Sequence, residues 1–75
     1  MPQVTKESAS QIASNYLKKE KSNRKIDIAM IEEKSDGYII RGICPINLEG
    51  HQWAEKFEVI IDWNGKIKST YYSLL

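Results

Sequence analysis

The chain has 75 residues, which is enough for one small domain, 1–75, that hides only about 60% of the surface its unfolded form exposes. Its 41% hydrophobic and 28% charged residues are ordinary for a globular protein and exclude wholesale disorder. The formal net charge of +1 excludes a strong overall attraction to nucleic acid or to an anionic membrane.

The cysteine count and the first residues bear on the cellular compartment. A single cysteine, Cys44, excludes a disulfide within the chain and favours a reducing compartment. The opening MPQVTKESAS lacks the apolar run of a secretory signal. No apolar segment approaches the roughly 20 residues that span a bilayer. We therefore expect a cytoplasmic protein with no membrane partner.

The first periodic segment has the spacing of an amphipathic helix. Apolar residues recur at i, i+3, i+4, i+7 and i+8 from Ala9 onward. Thr5 precedes them as a candidate N-cap, and Glu7 lies in the first turn, where the helix dipole favours an acid. The pattern predicts a helix over 5–21. Its predicted apolar face consists of Ala9, Ile12, Ala13, Tyr16 and Leu17.

The remainder of the chain has the period of β-strands. From Ile26 onward apolar residues alternate with polar or small ones, which is typical of a half-buried strand. Residues 38–46 are apolar on both faces, which favours a strand with a neighbour on either side. Two further runs, 53–63 and 66–75, complete a set of four. The sequence predicts an α+β fold, with one N-terminal helix packed on a four-stranded antiparallel meander sheet.

The stretch DWNGKI, 62–67, raises the question of a metal-binding loop. Starting from Asp62, a calcium loop needs an oxygen ligand at its fifth position and glycine at its sixth, where this sequence has Lys66 and Ile67. A calcium site is therefore excluded here. A three-residue loop, 63–65, with a left-handed Gly65 gathers apolar side chains on one face instead. That register pairs Ile61 with Ile67, Val59 with Ser69 and Phe57 with Tyr71.

A second Asp-Gly pair predicts another hairpin at 35–37, and the middle connection, around 47–51, is predicted to be longer. Pro45 precedes that connection and is tolerated only near a strand end or edge. The predicted first hairpin pairs Ile28 with Cys44, Met30 with Gly42 and Ile26 with Ile46.

Few residues could carry catalysis. His51 is the only histidine and lies in a polar segment, where we interpret it as an exposed loop residue. Cys44 has the parity of Ile28, which favours a small core residue. No metal-ligand spacing links these residues to Glu49 or Glu55, and without a second histidine a catalytic triad lacks a base. We expect a non-enzymatic protein with no cofactor and no metal site.

The sheet face away from the helix is the main functional candidate. If the helix covers Ile28, Met30, Ile40, Val59 and Ile61, the opposite parity exposes several isoleucines. Contiguous exposed apolar area of this kind is typical of an interface, although the stems of Arg41 and Lys68 could shield it. We predict a protein-interaction module that binds a second copy or another protein. The predicted interface residues are Ile31, Ile39, Ile43 and Ile60.

Two alternatives remain open. The segment 18–25, KKEKSNRK, is a solvated helix end or a nucleic-acid contact, which makes a nucleic-acid-binding accessory protein the alternative function. Its candidate contacts are Lys18, Lys19, Lys21, Arg24 and Lys25. A small-ligand pocket between helix and sheet, near Tyr16, Trp53 and Trp63, is a further hypothesis, set against the simpler interpretation of these aromatic residues as core.

The order helix, strand, DGYII, strand, KFEVIIDWNGKI resembles small PepSY-type, cystatin-like domains over about 25–75. In those domains a helix precedes an antiparallel meander, and a late strand ends in a D-x-x-G-x-I turn. Asp62, Gly65 and Ile67 match that turn, and FEVIIDWNGKI is also similar to the C-terminal part of gas vesicle protein O. The resemblance implies a domain that binds or restrains other proteins, and it carries over no catalytic residue.

Overall fold

The structure, a computed structural model, describes residues 4–20 and 25–74, with the backbone alone at 47 and 48. One helix precedes an antiparallel sheet whose strands lie in chain order. The α+β fold with a four-stranded meander is therefore confirmed. The elements are α1 (Lys6–Glu20), β1 (Asp27–Lys34), β2 (Gly37–Leu48), β3 (His51–Asp62) and β4 (Ile67–Leu74).

The helix begins as its sequence predicts. The Oγ1 atom of Thr5 accepts a hydrogen bond from the backbone N–H of Ser8 at 3.0 Å, which satisfies one N–H group at the helix start that has no partner within the helix. Ala9, Ala13 and Leu17 form its buried face, and their neighbours on that face pack against the core. The small alanines let the helix backbone lie close to the sheet.

The core lies between α1 and the strands β1, β2 and β3. Its most deeply buried members come from β2, β3 and the helix, where Ala9, Ala13 and Leu17 have no exposed surface. Cys44, with 1% of its surface exposed, belongs to this core as predicted. The largest fully buried side chains are Phe57, Leu17, Ile40, Ile61, Val59 and Cys44.

A β-bulge in β1 changes which side chains face the helix. Ile28 lies opposite Gly42 but Met30 lies opposite Arg41, so one residue of β1 has no partner on β2. One extra residue reverses the alternation of side chains beyond it. Ile31 therefore packs against the core, whereas Met30 lies on the outer face with 53% of its surface exposed. The predictions that Met30 faces the helix and that Ile31 faces away from it were therefore both wrong.

The first hairpin turn is shorter than predicted. Lys34 pairs with Gly37, which leaves a two-residue turn at 35–36. A Cβ atom on Gly37 would overlap the carbonyl oxygen of Ile61 on β3, so this turn needs glycine for close approach as well as for conformation. The register shifts accordingly. The predicted pairs Ile28–Cys44, Met30–Gly42 and Ile26–Ile46 were wrong. Ile28 faces Gly42 and Met30 faces Arg41, while Ile26 lies before the start of β1.

The last hairpin has the predicted three-residue loop. Gly65 is left-handed, with φ of 85°, and its N–H donates to the carbonyl oxygen of Asp62 at 3.0 Å. Ile61 faces Ile67 as predicted. A bulge at Lys68 then shifts the ladder by one residue. Val59 faces Thr70 and Phe57 faces Tyr72, so the predicted pairs with Ser69 and Tyr71 were wrong.

The middle hairpin is tight, contrary to the longer connection predicted. Glu49 and Gly50 have φ values of 51° and 81°, the positive pair that a two-residue hairpin turn favours. The pairing of β1 with β2 ends at Ile43, so among residues 4–20 and 25–74 β2 has no partner on that side beyond this point and forms an edge. Pro45 lies on that edge, where its missing N–H is tolerated, as predicted.

Candidate protein-interaction surface

The helix covers only part of the sheet. Fifteen residues of α1 span about 22 Å, whereas the twelve residues of β2 or β3 span roughly 40 Å. The pairings with β1 and β4 end at Ile43 and Glu55, so the β2–β3 hairpin continues as a two-stranded ribbon. The molecule is accordingly elongated, measuring 47 × 19 × 17 Å. On the helix side of this overhang Cys44 still belongs to the buried core, whereas Trp53, closer to the tip, is about half exposed.

Two large apolar side chains lie on this overhang, and two more lie on the adjoining end of β4. Trp53 pairs with Ile46 and has the parity of the buried Phe57, so both members of the pair lie on the helix side. Tyr72 faces Phe57, and Leu74, two residues later, lies on the same side. We name this group the distal patch; its members are Ile46, Trp53, Tyr72 and Leu74.

Three residues of the distal patch are accessible to solvent. Trp53 has 47%, Tyr72 37% and Leu74 59% of its surface exposed. Trp53 borders two open grooves, one of about 390 Å³ that Leu74 and His51 also line and one of about 430 Å³ that includes Ile46. A large aromatic side chain between two shallow grooves can contact a partner on both sides of its ring.

The phenol of Tyr72 lies between the helix end and the sheet. Burial raises the pKa of Tyr72 to about 12, and the negative charges that form on Tyr16, Glu20 and Glu55 act in the same direction. These groups belong to α1 and β3. The ring therefore bridges the end of the covered core and the start of the exposed patch.

This raised pKa predicts a loss of stability in alkaline solution. The unfolded phenol has a pKa near 10, so the folded and unfolded chains are both protonated below that pH and the stability contribution is fully present. As pH rises from about 10 toward 12, the unfolded state loses its proton first and stability falls. Ultraviolet titration of tyrosinate should show a late ionisation that Tyr72→Phe removes and Tyr71→Phe retains. A late step that persists in Tyr72→Phe would contradict the assignment.

The outer face of the sheet, away from α1, carries an ion-pair network at its centre. Arg41 donates through Nε to Glu58 Oε1 at 2.7 Å and through Nη1 to Glu32 Oε1 at 2.6 Å. Hydrogen bonds from Lys34 and then from Arg41 lower the pKa of Glu32, and the bond to Glu58 raises the pKa of Arg41. Charged groups from β1, β2 and β3 thus meet across the middle of this face.

The predicted interface isoleucines are divided by this network. Ile39 faces Ile60 across β2 and β3, and both are half-buried. Ile43, with 36% of its surface exposed, lies on the other side of Arg41, and Ile31 is on the helix side. The geometry leaves less contiguous apolar area on the outer face than the sequence predicts. An interface there stays a prediction.

The basic residues proposed for nucleic-acid binding are only partly described. Lys18, Lys19 and Lys25 are exposed, while Lys21 and Arg24 lie outside the described residues. Nucleic-acid binding by this segment stays a prediction.

The aromatic residues proposed for a small-ligand pocket do not converge. Trp63 lies next to the last hairpin turn, at the opposite end of β3 from Trp53, about 30 Å away along the strand. Its ring stands edge-on to Tyr38 with centroids 5.1 Å apart, and its Nε1 donates to the carbonyl oxygen of Ser35 at 3.0 Å. Tyr16 belongs to α1 and is half-buried against the core. The prediction of a common pocket for these three aromatic residues was wrong.

The polar residues considered for catalysis or metal binding lie in a strand and in a turn of the sheet. His51 is exposed as predicted but begins β3 instead of lying in a loop. Asp62 closes its turn, with Oδ1 accepting hydrogen bonds from the N–H groups of Asn64 and Lys66, both at 2.9 Å. Within residues 4–20 and 25–74, no group of three or more His, Cys, Asp and Glu side chains could hold a metal ion. Over the same residues, no helix is long and apolar enough to cross a membrane.

Sequence reasoning did not identify the distal patch. Trp53 was interpreted as a core residue or as part of a small-ligand pocket, and Leu74 was not singled out. The location of the patch depends on the length of the strands, because the twelve residues of β2 outreach a helix of fifteen, whereas the run predicted from the sequence covers only 38–46. The apolar residues at the far end of such strands have no helix to cover them.

Comparison with known proteins identifies no relative of this chain. The chain matches no protein-family model, no curated protein and no solved structure. The resemblance to PepSY-type domains and to gas vesicle protein O therefore stays a prediction.

Proposed function

We propose that this chain is a non-enzymatic protein-interaction module that binds a partner through the distal patch. The supporting observation is the exposure of Trp53, Leu74 and Tyr72 on the helix side at one end of the sheet, where Trp53 and Leu74 line the same groove. Exposed apolar groups of this kind mark interaction sites, and tryptophan and tyrosine are the residue types that most often dominate binding energy.

The charges around the patch favour a protein partner over nucleic acid. Glu20 and Glu55 lie close to the phenol of Tyr72, and Glu49 lines the groove beside Trp53. These carboxylates would repel the phosphates of a strand whose bases stacked on the aromatic rings. They favour a protein segment that presents apolar side chains next to Lys or Arg. The grooves are open to solvent, whereas small-molecule sites bury most of their ligand.

Trp53→Ala should abolish partner binding while the domain stays folded. Trp53 is about half exposed and lies outside the core, so its removal costs far less stability than a core truncation. The measurement compares proteins retained from nuclease-treated extracts of cells that naturally make this chain. Met30→Ala is the matched control, because Met30 is 53% exposed on the outer face. We expect one set of proteins to bind the unmodified chain and the control and to be lost with Trp53→Ala.

Two results would contradict the proposal. Retention of the same proteins by all three chains would show that the distal patch is not the binding surface. Loss with Met30→Ala but not with Trp53→Ala would assign binding to the outer face instead. Circular dichroism and thermal unfolding of both variants establish that any loss of binding is not a loss of fold.

A further inference from the structure

Strand β4 is an edge of the sheet with little protection against pairing. It is the terminal strand, so the backbone N–H and C=O groups on the side away from β3 have no strand partner in the described structure. Its residues 69–74, STYYSL, carry no charge and no proline. The opposite edge, β1, has four charged residues among its eight: Asp27, Glu32, Glu33 and Lys34. Charged side chains are the usual protection of an edge strand, and β4 has a single one, Lys68, near its start.

We infer that β4 pairs antiparallel with β4 of a second copy, joining two four-stranded sheets into one. Parallel pairing would place Lys68 beside the same residue of the other copy, and like charges directly opposite destabilise a sheet. Antiparallel pairing about Tyr72 separates the two ammonium groups by about 27 Å along the strand, well beyond the screening length of about 8 Å. The second copy is therefore the partner that this edge suits.

Symmetry restricts the register of this pairing. A two-fold axis perpendicular to the sheet passes midway between one residue and the same residue of the second copy, and the two sheets then keep their helices on the same side. With the axis at Tyr72, only uncharged residues face one another within 69–74. With the axis at Tyr71, Lys68 would face Leu74. In the favoured register Tyr72 faces Tyr72, Thr70 faces Leu74 and Tyr71 faces Ser73 of the other copy.

The helix leaves this edge accessible. α1 packs mainly on β1, β2 and β3. The side chains that would meet on the helix side are those of Tyr72, Leu74 and Thr70, of which the first two are exposed. Aromatic cross-strand pairs contribute to sheet association, and the backbone hydrogen bonds add to it.

This self-association goes beyond the proposed function and can fail separately from it. The pairing shares Tyr72 and Leu74 with the distal patch but does not use Trp53, which lies on β3. Trp53→Ala therefore tests the patch, and substitutions in β4 test the edge.

Charge substitutions at Tyr71 and Ser73 test both the pairing and its register. Both side chains are exposed on the outer face, with Tyr71 at 56%, so the fold of a single copy should tolerate them. In Tyr71→Lys/Ser73→Lys two pairs of like charges face each other across the axis. In Tyr71→Glu/Ser73→Lys the same positions form two pairs of opposite charge. The two variants have the same number of new charged residues and differ only in the sign of the charge at position 71.

The measurement is molar mass by light scattering on a sizing column over a wide dilution series. We expect the unmodified chain to rise from 8.7 kDa toward twice that mass as concentration increases. The Lys/Lys chain should need roughly a tenfold higher concentration or more to associate, because like charges face across the strands. The Glu/Lys chain should associate at least as well as the unmodified one, with a gain that falls as salt rises.

Three outcomes would overturn the inference. The unmodified chain could remain at 8.7 kDa throughout, or the Lys/Lys chain could associate as well as the unmodified one. Alternatively, Met30→Lys or Trp53→Ala could dissociate the dimer while the Lys/Lys chain retains it, which would move the contact to the outer face or the distal patch. Weakened association in both β4 variants would contradict the register centred on Tyr72.

Discussion

Gly42→Ala is expected to leave the domain largely unfolded or severely destabilised. An added Cβ would overlap the backbone carbonyl oxygen of Asp27 and would lie 2.7 Å from Phe57 Cζ and 2.9 Å from Ile28 Cα. Two of these three neighbours are backbone atoms of the bulged strand β1, which cannot rotate away as a side chain can. Overpacking of a core costs about 1–3 kcal/mol, and a backbone overlap belongs at or above the upper end. A 75-residue domain has roughly 4–11 kcal/mol in total.

Urea unfolding followed by circular dichroism measures this effect, with Gly50→Ala as the control. A Cβ on Gly50 meets no atom within 4 Å, so its cost is limited to the strain of a left-handed alanine, about 1 kcal/mol. Phe57→Leu should not rescue Gly42→Ala, because the overlap with Asp27 remains. A Gly42→Ala chain that unfolds at the same urea concentration as the Gly50→Ala chain would contradict the close contact between β1 and β2.

Phe57→Ala is expected to cost about 3–5 kcal/mol, close to the whole stability of so small a domain. Phe57 has 1% of its surface exposed and lies on β3 beneath the helix, beside Gly42 and opposite Tyr72. Its removal leaves a cavity that the rigid sheet cannot close. The expected result is a chain with little residual structure at 25 °C by near-ultraviolet circular dichroism.

Tyr71→Ala is the matched control for this truncation. Tyr71 is an aromatic residue on the neighbouring strand with 56% of its surface exposed on the outer face. Surface truncations of this kind usually change stability by about 0.5 kcal/mol or less. Similar unfolding midpoints for Phe57→Ala and Tyr71→Ala would show that the core is not where the structure places it.

Much of the fold follows from local patterns that physics ties closely to structure. The 3.6-residue period from Ala9 to Leu17 predicts a helix with its buried face, because only that period places these residues together. The left-handed glycine at position 65 predicts the last turn, since few other residues adopt that conformation. These features depend on neighbouring residues in the chain, and the sequence shows them directly.

The errors come from single-residue shifts that alternation cannot reveal. Around the bulge in β1, Ile28, Met30 and Ile31 are all apolar, so no polar residue marks the point at which the strand changes faces. Its position depends on Gly42, whose missing side chain lets β1 approach β2 there. The bulge at Lys68 likewise moves Tyr72 to the helix side and Tyr71 to the outer face. Such shifts depend on the partner strand.

The sequence predicts the type of candidate site, a protein-interaction surface, but not its location. Apolar residues at both parities of the strands predict apolar surface that one helix cannot cover, which is typical of an interaction module. The location depends on how far the helix reaches along the sheet, and Trp53 and Leu74 lie beyond it. The ion pairs of Arg41 with Glu32 and Glu58 occupy the outer face that the sequence favours. Both facts emerge only from the assembled sheet.

Site-specific photo-crosslinking tests the proposed function most directly. A photoreactive amino acid replaces His51, which lines the groove beside Trp53 and Leu74, in one chain and Met30 in another, and each is expressed in cells that naturally make this protein. Binding through the distal patch predicts a cross-linked product from position 51 that contains a protein other than this chain, and none from position 30. Cross-linking from position 30 alone, or no product from either position, would contradict binding through the distal patch.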